Sequence, residues 1–177
     1  MTTPVEPSQR VAIVTGAADG IGWATAQRLA SDFSHVVVAD LRPDAAKARA
    51  VELGGGHWWF GCDVMAEAQV CALVREVVAR FGRLDALVNN AGIGEQPVMT
   101  LEQTVDAFDR ILSVHLRGTF IASREANTCM IGTTASIGLL ANGTLIPLGR
   151  PVVPDEYIIM WPPTSSVIAV CGDWLAS

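Results

Sequence analysis

Short apolar runs alternate with amphipathic stretches along the first two thirds of the chain. Four of the runs are nearly continuous in apolar residues, which is typical of parallel strands covered on both faces. They are VAIVT (11–15), HVVVAD (35–40), HWWFGCDV (57–64) and DALVNNAG (85–92). TCMIGTTAS (128–136) is a fifth predicted strand. Each of the first four runs is followed by a segment with helical signals, so the pattern predicts repeated strand-helix units.

The segments between the strands predict four helices. A proline suited to a first helical turn opens the second, and glycines close the second and third. The predicted bounds are 21–30, Pro43 to the glycine run 54–56, Ala66 to Gly82, and 101–125. The third helix carries one apolar stripe, formed by Val70, Leu73, Val74, Val77, Val78 and Phe81. The fourth is predicted to bury Val105, Phe108, Leu112, Leu116 and Phe120.

Consecutive units of this kind imply right-handed crossovers and a sheet with helices on both faces. The sequence therefore predicts an α/β fold, a Rossmann-like doubly wound parallel sheet of about five to six strands. With 177 residues, half of them hydrophobic, the chain is expected to form a single domain over 1–177.

Charge and composition narrow the class of partner. A net charge of -6 leaves no basic excess for phosphate backbones or anionic lipids, so we expect a small-molecule substrate and neither nucleic acid nor membrane. The opening MTTPVEPSQR lacks the apolar core of a signal peptide. The four cysteines show no metal-ligand spacing, which predicts no metal site and reduced thiols in a cytoplasmic protein.

A glycine-rich loop, TGAADGIG (15–22), joins the first strand to the first helix. Its glycines would let the backbone approach a pyrophosphate at the free N–H groups of the helix. Asp40, at the end of the next strand, is placed to bind the ribose hydroxyls and to repel a 2′-phosphate, which favours NAD over NADP, while nearby Arg42 argues the other way. The alternative is that the glycines only form a tight turn and Asp40 is a solvated acid.

Further motifs beyond the glycine loop resemble those of a known enzyme family. The spacing TGxxxGIG, Asp63-Val64 after the third strand and RLDALVNNAG (83–92) together resemble the classical short-chain dehydrogenase/reductase family, continuously from about residue 10 to 125. The resemblance implies a cofactor site with four parts. Gly16, Asp19, Gly20 and Ile21 would line the pyrophosphate, and Asp40 would bind the ribose. Asp63 and Val64 would flank the adenine, and Asn90, Ala91 and Gly92 would form the wall along the middle of the cofactor. Structural alternatives are that Asp63 caps the helix near Ala66 and that Asn89 braces two strands.

The resemblance also implies a reaction, the interconversion of a secondary alcohol and a carbonyl, with catalytic Tyr, Lys, Ser and Asn. Ser136 stands at the position of the serine, and His115, in VHLRGTF, replaces the asparagine. The imidazole could relay protons, or only fill the inner face beside Leu112 and Leu116. The only tyrosine, Tyr157, and the only lysine, Lys47, are far apart, so the Tyr-x-x-x-Lys pair is absent from this sequence.

The end of the chain resembles the family again. IPLGRPVVPDEY (146–157) is similar to its late segment and TSSVIAVCGDWLAS (164–177) to its last strand. The family-like core is thus 10–136, followed by an apparent deletion junction at 137–145 and a remnant of the C-terminal segment at 146–177. Either the chain is truncated, and its last strand packs directly beside the fifth, or the sequence joins segments of a longer dehydrogenase. The expected function is NAD(H)-dependent oxidoreduction or, alternatively, non-catalytic binding of NAD or a partner, in an expected homo-oligomer.

Overall fold

The structure is a computed structural model that describes residues 10–94, 100–130, 138–141, 144–147 and 167–170. Strands and helices alternate over the first half of the chain. They are β1 (Val11–Thr15), α1 (Gly20–Leu29), β2 (His35–Asp40), α2 (Pro43–Leu53), β3 (Trp58–Gly61), α3 (Glu67–Phe81) and β4 (Ala86–Asn89). A short turn at Thr100–Glu102 then precedes α4 (Val105–Leu112) and α5 (Gly118–Met130), and β5 (Gly138–Ala141), β6 (Thr144–Pro147) and β7 (Val167–Val170) follow.

One sheet of order β3-β2-β1-β4-β7 forms the centre of the molecule. The pairs β1–β2, β2–β3 and β1–β4 are parallel. This confirms the predicted doubly wound parallel sheet, with all four N-terminal strands where the apolar runs placed them.

Both faces of the sheet are buried, which explains why the strands read as continuous apolar runs. Val11 and Ile13 of β1 face a core shared with α3 and α5, whereas Ala12 and Val14 face a core shared with α1 and α2. The predicted stripe of α3 is confirmed at its centre, since Val70, Leu73, Val74 and Val77 are buried.

A buried carboxylate joins the start of β1 to the start of β4. Oδ2 of Asp85 accepts a hydrogen bond of 2.8 Å from the amide of Val11. The guanidinium of Arg83 pairs with the same carboxylate, and Nε lies 2.8 Å from Oδ2. The pairing compensates the cost of burying the charge of Asp85.

The long helix departs from its predicted face. A π-helical segment at Ser113–Arg117 connects α4 to α5. The helix predicted to end at residue 125 continues to Met130. The buried positions are Val114, Gly118, Ile121, Ala122, Ser123, Ala126 and Met130. Val105, Phe108, Leu116 and Phe120 are instead exposed, by 38% or more. A π turn holds an extra residue and rotates the helix face that follows it, which explains the shift after Ser113, whereas α4 lies before this turn and buries none of its residues.

The C-terminal predictions are corrected in part. Thr128, Cys129 and Met130 of the predicted fifth strand belong to α5, and the rest of that strand, 131–136, lies outside the described residues. β5 and β6 pair antiparallel across the predicted junction. β7 pairs antiparallel with β4. Residues 148–157 of the late family-like segment also lie outside the described residues.

Two histidines fasten the glycine turn that leads into β3. Nδ1 of His57 accepts a hydrogen bond of 2.9 Å from the amide of Val36, just before the pairing of β2 with β3 begins. Nδ1 of His35 lies 3.0 Å from the carbonyl oxygen of Gly56, and its ring stacks on Phe81. Burial, together with the charge of His35, lowers the pKa of His57 below 6.5.

We expect His57 to make folding stability depend on pH. Protonation turns Nδ1 into a donor and leaves the buried amide of Val36 without this acceptor, at a cost on the order of 1 kcal/mol. Because the folded-state pKa is lowered, the stabilisation is present above the unfolded pKa of about 6.5 and is lost as pH falls through the folded value. Urea unfolding from pH 8 to pH 5 measures this loss.

The matched variant is His57→Asn, whose side-chain oxygen can accept the same hydrogen bond without titrating. Its unfolding free energy should fall less steeply between pH 7 and pH 5 than that of the wild type. Equal slopes for the two proteins would show that the titration of His57 does not contribute.

Candidate functional site

A cleft of about 510 Å³ opens at the carboxyl ends of the parallel strands. This is the edge at which ligands bind in open α/β sheets. All ten residues predicted to contact a cofactor line it, namely Gly16, Asp19, Gly20, Ile21, Asp40, Asp63, Val64, Asn90, Ala91 and Gly92. The structure thus brings together residues from four separate strand ends. Leu41, Arg42, Cys62, Met65, Ile93, Arg110 and Val114 also line the cleft, together with Gly22.

The glycine loop lies directly against the segment that follows β4. Gly16 has a φ of 63°, and a Cβ built there would lie 2.8 Å from Cα of Ala91. A Cβ at Gly22 would lie 2.3 Å from the carbonyl oxygen of Gly16 and 2.4 Å from Nδ2 of Asn90. Both positions therefore need glycine for close approach of backbone to backbone.

Asn90 and Thr15 lock these two segments together. Nδ2 of Asn90 donates to the carbonyl oxygens of Thr15 and Gly16, each at 3.0 Å. Oγ1 of Thr15 accepts from the amides of Asn90 and Ala91, both at 3.1 Å. Sequence reasoning did not single out Thr15. The sequence feature that could have identified Thr15 is a hydroxyl side chain at the end of a buried strand, where apolar residues are otherwise expected.

Asp40 is buried and oriented by three donors. Its Oδ2 accepts from the amide of Ala18 at 3.0 Å. Its Oδ1 accepts from the amide and Nε of Arg42, at 3.0 and 3.1 Å. The hydrogen bond to Asp40 raises the pKa of the Arg42 guanidinium. A carboxylate has about four lone-pair sites, so one remains for a ligand.

Asp19 caps the helix that borders the cleft. Its Oδ1 accepts from the amide of Gly20 at 2.8 Å, which makes it the N-cap of α1. Asp19 is exposed and lines the cleft, so its charge lies at the helix N-terminus where an anion would bind. The sequence analysis placed Asp19 in the pyrophosphate site. It did not predict that the carboxylate of Asp19 accepts a hydrogen bond from the first amide of the helix.

Asp63 and Val64 have structural partners as well as a place in the cleft. Oδ1 of Asp63 accepts from the amide of Met65 at 2.9 Å, but the N-cap of α3 is Ala66. The alternative that Asp63 caps this helix is therefore wrong, although it shapes the turn before it. A Cβ at Gly118 would lie 2.9 Å from Cγ2 of Val64, so Val64 packs closely on α5.

Cys62, which precedes Asp63, is a buried free thiol. Burial, with a smaller effect of Asp63, raises the pKa of Cys62 to about 11. The group is therefore protonated at neutral pH and inert as a nucleophile. Cys71 and Cys129 are also free.

Asn89 joins a strand to a helix, where the sequence alternative had it brace two strands. Its Nδ2 donates to Oγ of Ser123 at 3.0 Å, which fixes the end of β4 to α5. Both residues are buried. This bond positions the strand end whose next three residues line the cleft.

His115 contacts the same loop from the π-helical segment. Its Nε2 lies 2.9 Å from the amide nitrogen of Ile93 and 2.8 Å from the carbonyl oxygen of Ile93. A Cβ at Gly92 would lie 2.7 Å from Cε1 of His115. The imidazole therefore packs on the cleft wall and not on an inner face beside Leu112 and Leu116.

Lys47, the only lysine in the sequence, does not line this cleft. Lys47 lies on α2, with Nζ 5.9 Å from the ring centroid of Trp59. Ser136 and Tyr157 lie outside the described residues. Over the described ranges, no cluster of His, Cys, Asp and Glu could hold a metal ion. Within the same ranges, no helix combines the length and apolarity needed to cross a membrane.

The comparisons with known proteins agree with the fold. Tropinone reductase-like 2 of Erythroxylum coca is 41% identical over 138 residues, which cover 74% of this chain and 50% of that protein. D-threitol dehydrogenase of Mycolicibacterium smegmatis is 35% identical over 148 residues, which cover 81% of this chain and 56% of that protein. This chain thus spans about half the length of these relatives.

A solved structure shows the same architecture. The 3-ketoacyl-(acyl-carrier-protein) reductase of Brucella melitensis, complexed with NADH, superposes with a TM-score of 0.68 at 34% identity, over 71% of this chain and 52% of that one. The family model described as short chain dehydrogenase matches residues 10–142. With the glycine loop, the buried acid and the NNAG wall arranged around one cleft, this chain belongs to the short chain dehydrogenase family.

Proposed function

We propose that this chain binds NAD(H) in the cleft and supplies the dinucleotide-binding part of an oxidoreductase acting on a secondary alcohol/carbonyl pair. The observation that carries the proposal is the buried carboxylate of Asp40, which three donors orient at the end of β2. A fixed anion there suits a ribose with two hydroxyls and disfavours a 2′-phosphate. The relatives named for reductase and dehydrogenase activity support the reaction class.

The described residues fit the dinucleotide. Gly16 and Gly22 have no Cβ where one would clash with the neighbouring backbone, and Gly20 and Ile21, at the start of α1, line the cleft. The N-terminus of a helix favours a bound anion such as a pyrophosphate. Asp40 would hold the adenosine ribose, and Asp63 and Val64 would flank the adenine. Asn90, Ala91 and Gly92 would follow the middle of the cofactor. When bound, the nicotinamide accepts or supplies a hydride.

For the chemistry beyond hydride transfer, Ser136 and His115 are the candidates in this chain. We propose that Ser136 holds the substrate oxygen and that His115, bonded to Ile93, takes the place of the family's asparagine. The reaction must also move a proton at the alcohol oxygen. The imidazole of His115 can both accept and donate a proton, so we assign it as the candidate for this step.

The second candidate function is NAD(H) binding without turnover. It is favoured by the sequence itself, in which the only tyrosine and the only lysine are Tyr157 and Lys47. Without a Tyr-x-x-x-Lys pair, this chain by itself is expected to show little or no turnover. NADH oxidation with a panel of ketones separates the two functions, because turnover at rates typical of the family supports the first and tight binding without turnover supports the second.

The binding proposal is tested by the affinity for NADH and NADPH, measured by the enhancement of nicotinamide fluorescence. We expect the wild type to prefer NADH. Asp40→Asn keeps the shape of the side chain but removes the charge, so we expect about tenfold weaker NADH binding and a smaller preference over NADPH. Asp44→Asn, on the exposed start of α2, is the control for the loss of one negative charge. Unchanged affinity and preference in Asp40→Asn would contradict the assignment.

Asp19 is expected to weaken the binding of an anionic cofactor. Ser can cap α1 as Asp19 does, but without the charge, so Asp19→Ser should preserve the fold and bind NADH about threefold more tightly at low salt. The gain should fade as added salt screens this exposed position. The same titrations at low and high ionic strength measure it, with Asp44→Asn again as the charge control. Equal or weaker binding by Asp19→Ser would show that its carboxylate does not oppose the cofactor.

We also propose a homo-oligomer in a cytoplasmic setting. The free thiols of Cys62, Cys71 and Cys129 suit a reducing compartment. The exposed apolar residues of the long helix form a candidate interface, with Phe108 and Leu116 exposed by 52% and 41%.

Light scattering after size exclusion tests the oligomer. Phe108→Glu places a charge on the exposed stripe and should reduce the mass toward that of a monomer, because an unpaired charge in an apolar interface is costly. Glu76→Gln, an exposed change on α3, is the control. A wild type that is already monomeric, or a Phe108→Glu protein of unchanged mass, would refute this interface.

A further inference from the structure

Arg49 reaches from α2 to the glycine loop. Its Nε donates a hydrogen bond of 3.1 Å to the carbonyl oxygen of Ala18. Its Nη1 pairs with Oε2 of Glu52 at 2.7 Å, one turn further along the helix. Its guanidinium lies 4.7 Å from the ring centroid of Trp23 on α1. One side chain therefore contacts α1, α2 and the loop that enters α1.

Ala18 is held at both ends of its backbone. Its amide donates to Oδ2 of Asp40 at 3.0 Å, while its carbonyl oxygen accepts from Arg49. Ala18 itself is buried. The carbonyl and the following N–H of a trans peptide point in opposite directions. Fixing the Ala18 carbonyl toward α2 therefore also fixes the direction of the amide of Asp19 at the start of α1.

We propose that Arg49 is a positioning residue that sets the orientation of the Ala18–Asp19 peptide and thereby the affinity of the glycine loop for a dinucleotide. This inference rests on the proposed function, since it concerns the same cleft. Arg49 does not line the cleft, and it acts through the backbone of Ala18. Loss of the Arg49 side chain should therefore change the affinity for the cofactor and not the rate of the chemical step.

The guanidinium suits this task better than an ammonium group would. Its planar fork can donate from Nε and Nη1 in two fixed directions while its face lies on an aromatic ring. A lysine at this position could donate to Ala18 or to Glu52, but its single nitrogen does not reproduce the fixed pair of bonds. An Arg49→Lys variant is therefore expected to keep only part of the affinity.

The experiment measures NADH affinity and backbone exchange in the full chain. Arg49→Met should weaken NADH binding about tenfold, as expected for the loss of a charged hydrogen bond, and Arg49→Lys about threefold. In the absence of cofactor, hydrogen exchange of the peptide that spans residues 16–20 should be faster in Arg49→Met than in the wild type. This second readout does not depend on the bound cofactor.

Two control variants separate positioning from general effects. Arg80→Met removes an exposed arginine from an aromatic ring, since the Arg80 guanidinium lies 5.2 Å from the ring centroid of Trp58. Arg80 belongs to α3, which packs on the opposite face of the sheet from α1 and α2. Glu52→Gln removes the ion pair and keeps the bond to Ala18. Both variants should bind NADH within about twofold of the wild type, because exposed ion pairs contribute little.

The outcomes distinguish this inference from the proposed function. If the wild type does not bind NADH, the proposed function fails and this inference fails with it. If the wild type binds but Arg49→Met binds equally well, only the positioning role is refuted. Should Arg49→Met unfold, Arg49→Lys decides, and an affinity and exchange rate equal to those of the wild type would overturn the role. An equal loss in Arg80→Met would also overturn it, by showing a general effect of charge or stability.

Discussion

The direct backbone contact between the glycine loop and the end of β4 is the constraint on which the cleft depends. Gly16 and Gly22 allow this approach, and the side chains of Asn90 and Thr15 then bond the two segments together. Larger residues at either glycine would separate the two strand ends. The cleft exists because these parallel strands end at the same edge and glycines let the segments that follow them approach closely.

The parts of this arrangement that follow from local signals were predictable from the sequence. Continuous apolar runs predicted β1 to β4, because burial on both faces leaves no polar alternation. The role of Asp40 was predicted from its place at a strand end, and that of the NNAG segment from the family resemblance, and both line the cleft. Thr15 and Arg49 were not found, since their roles depend on distant backbone groups that no spacing rule connects. Ser136 lies outside the described residues, so its role stays a prediction.

The long helix shows how one local irregularity defeats a periodic argument. The apolar positions 105, 108, 112, 116 and 120 fit a regular helical face, yet the π-helical segment shifts the buried face to Val114, Gly118 and Ile121. The same segment carries His115 against Gly92 and Ile93. The irregularity thus positions the cleft wall, and Leu116 within it is exposed, as is Phe108 on the preceding helix α4. A hydrophobic pattern predicts that a face is apolar, but not which surface will cover it.

The charges in the cleft decide how a dinucleotide would be held. Three acids, Asp19, Asp40 and Asp63, line it with two arginines, and Arg42 is bonded to Asp40. A net acidic cleft does not attract an anionic pyrophosphate by its overall charge. Affinity must therefore come from oriented backbone dipoles at the start of α1, which act only at short range and in the right direction. This dependence on direction is the reason that the groups holding the loop, Asp40 on the amide of Ala18 and Arg49 on its carbonyl, matter more here than they would in a cleft of net positive charge.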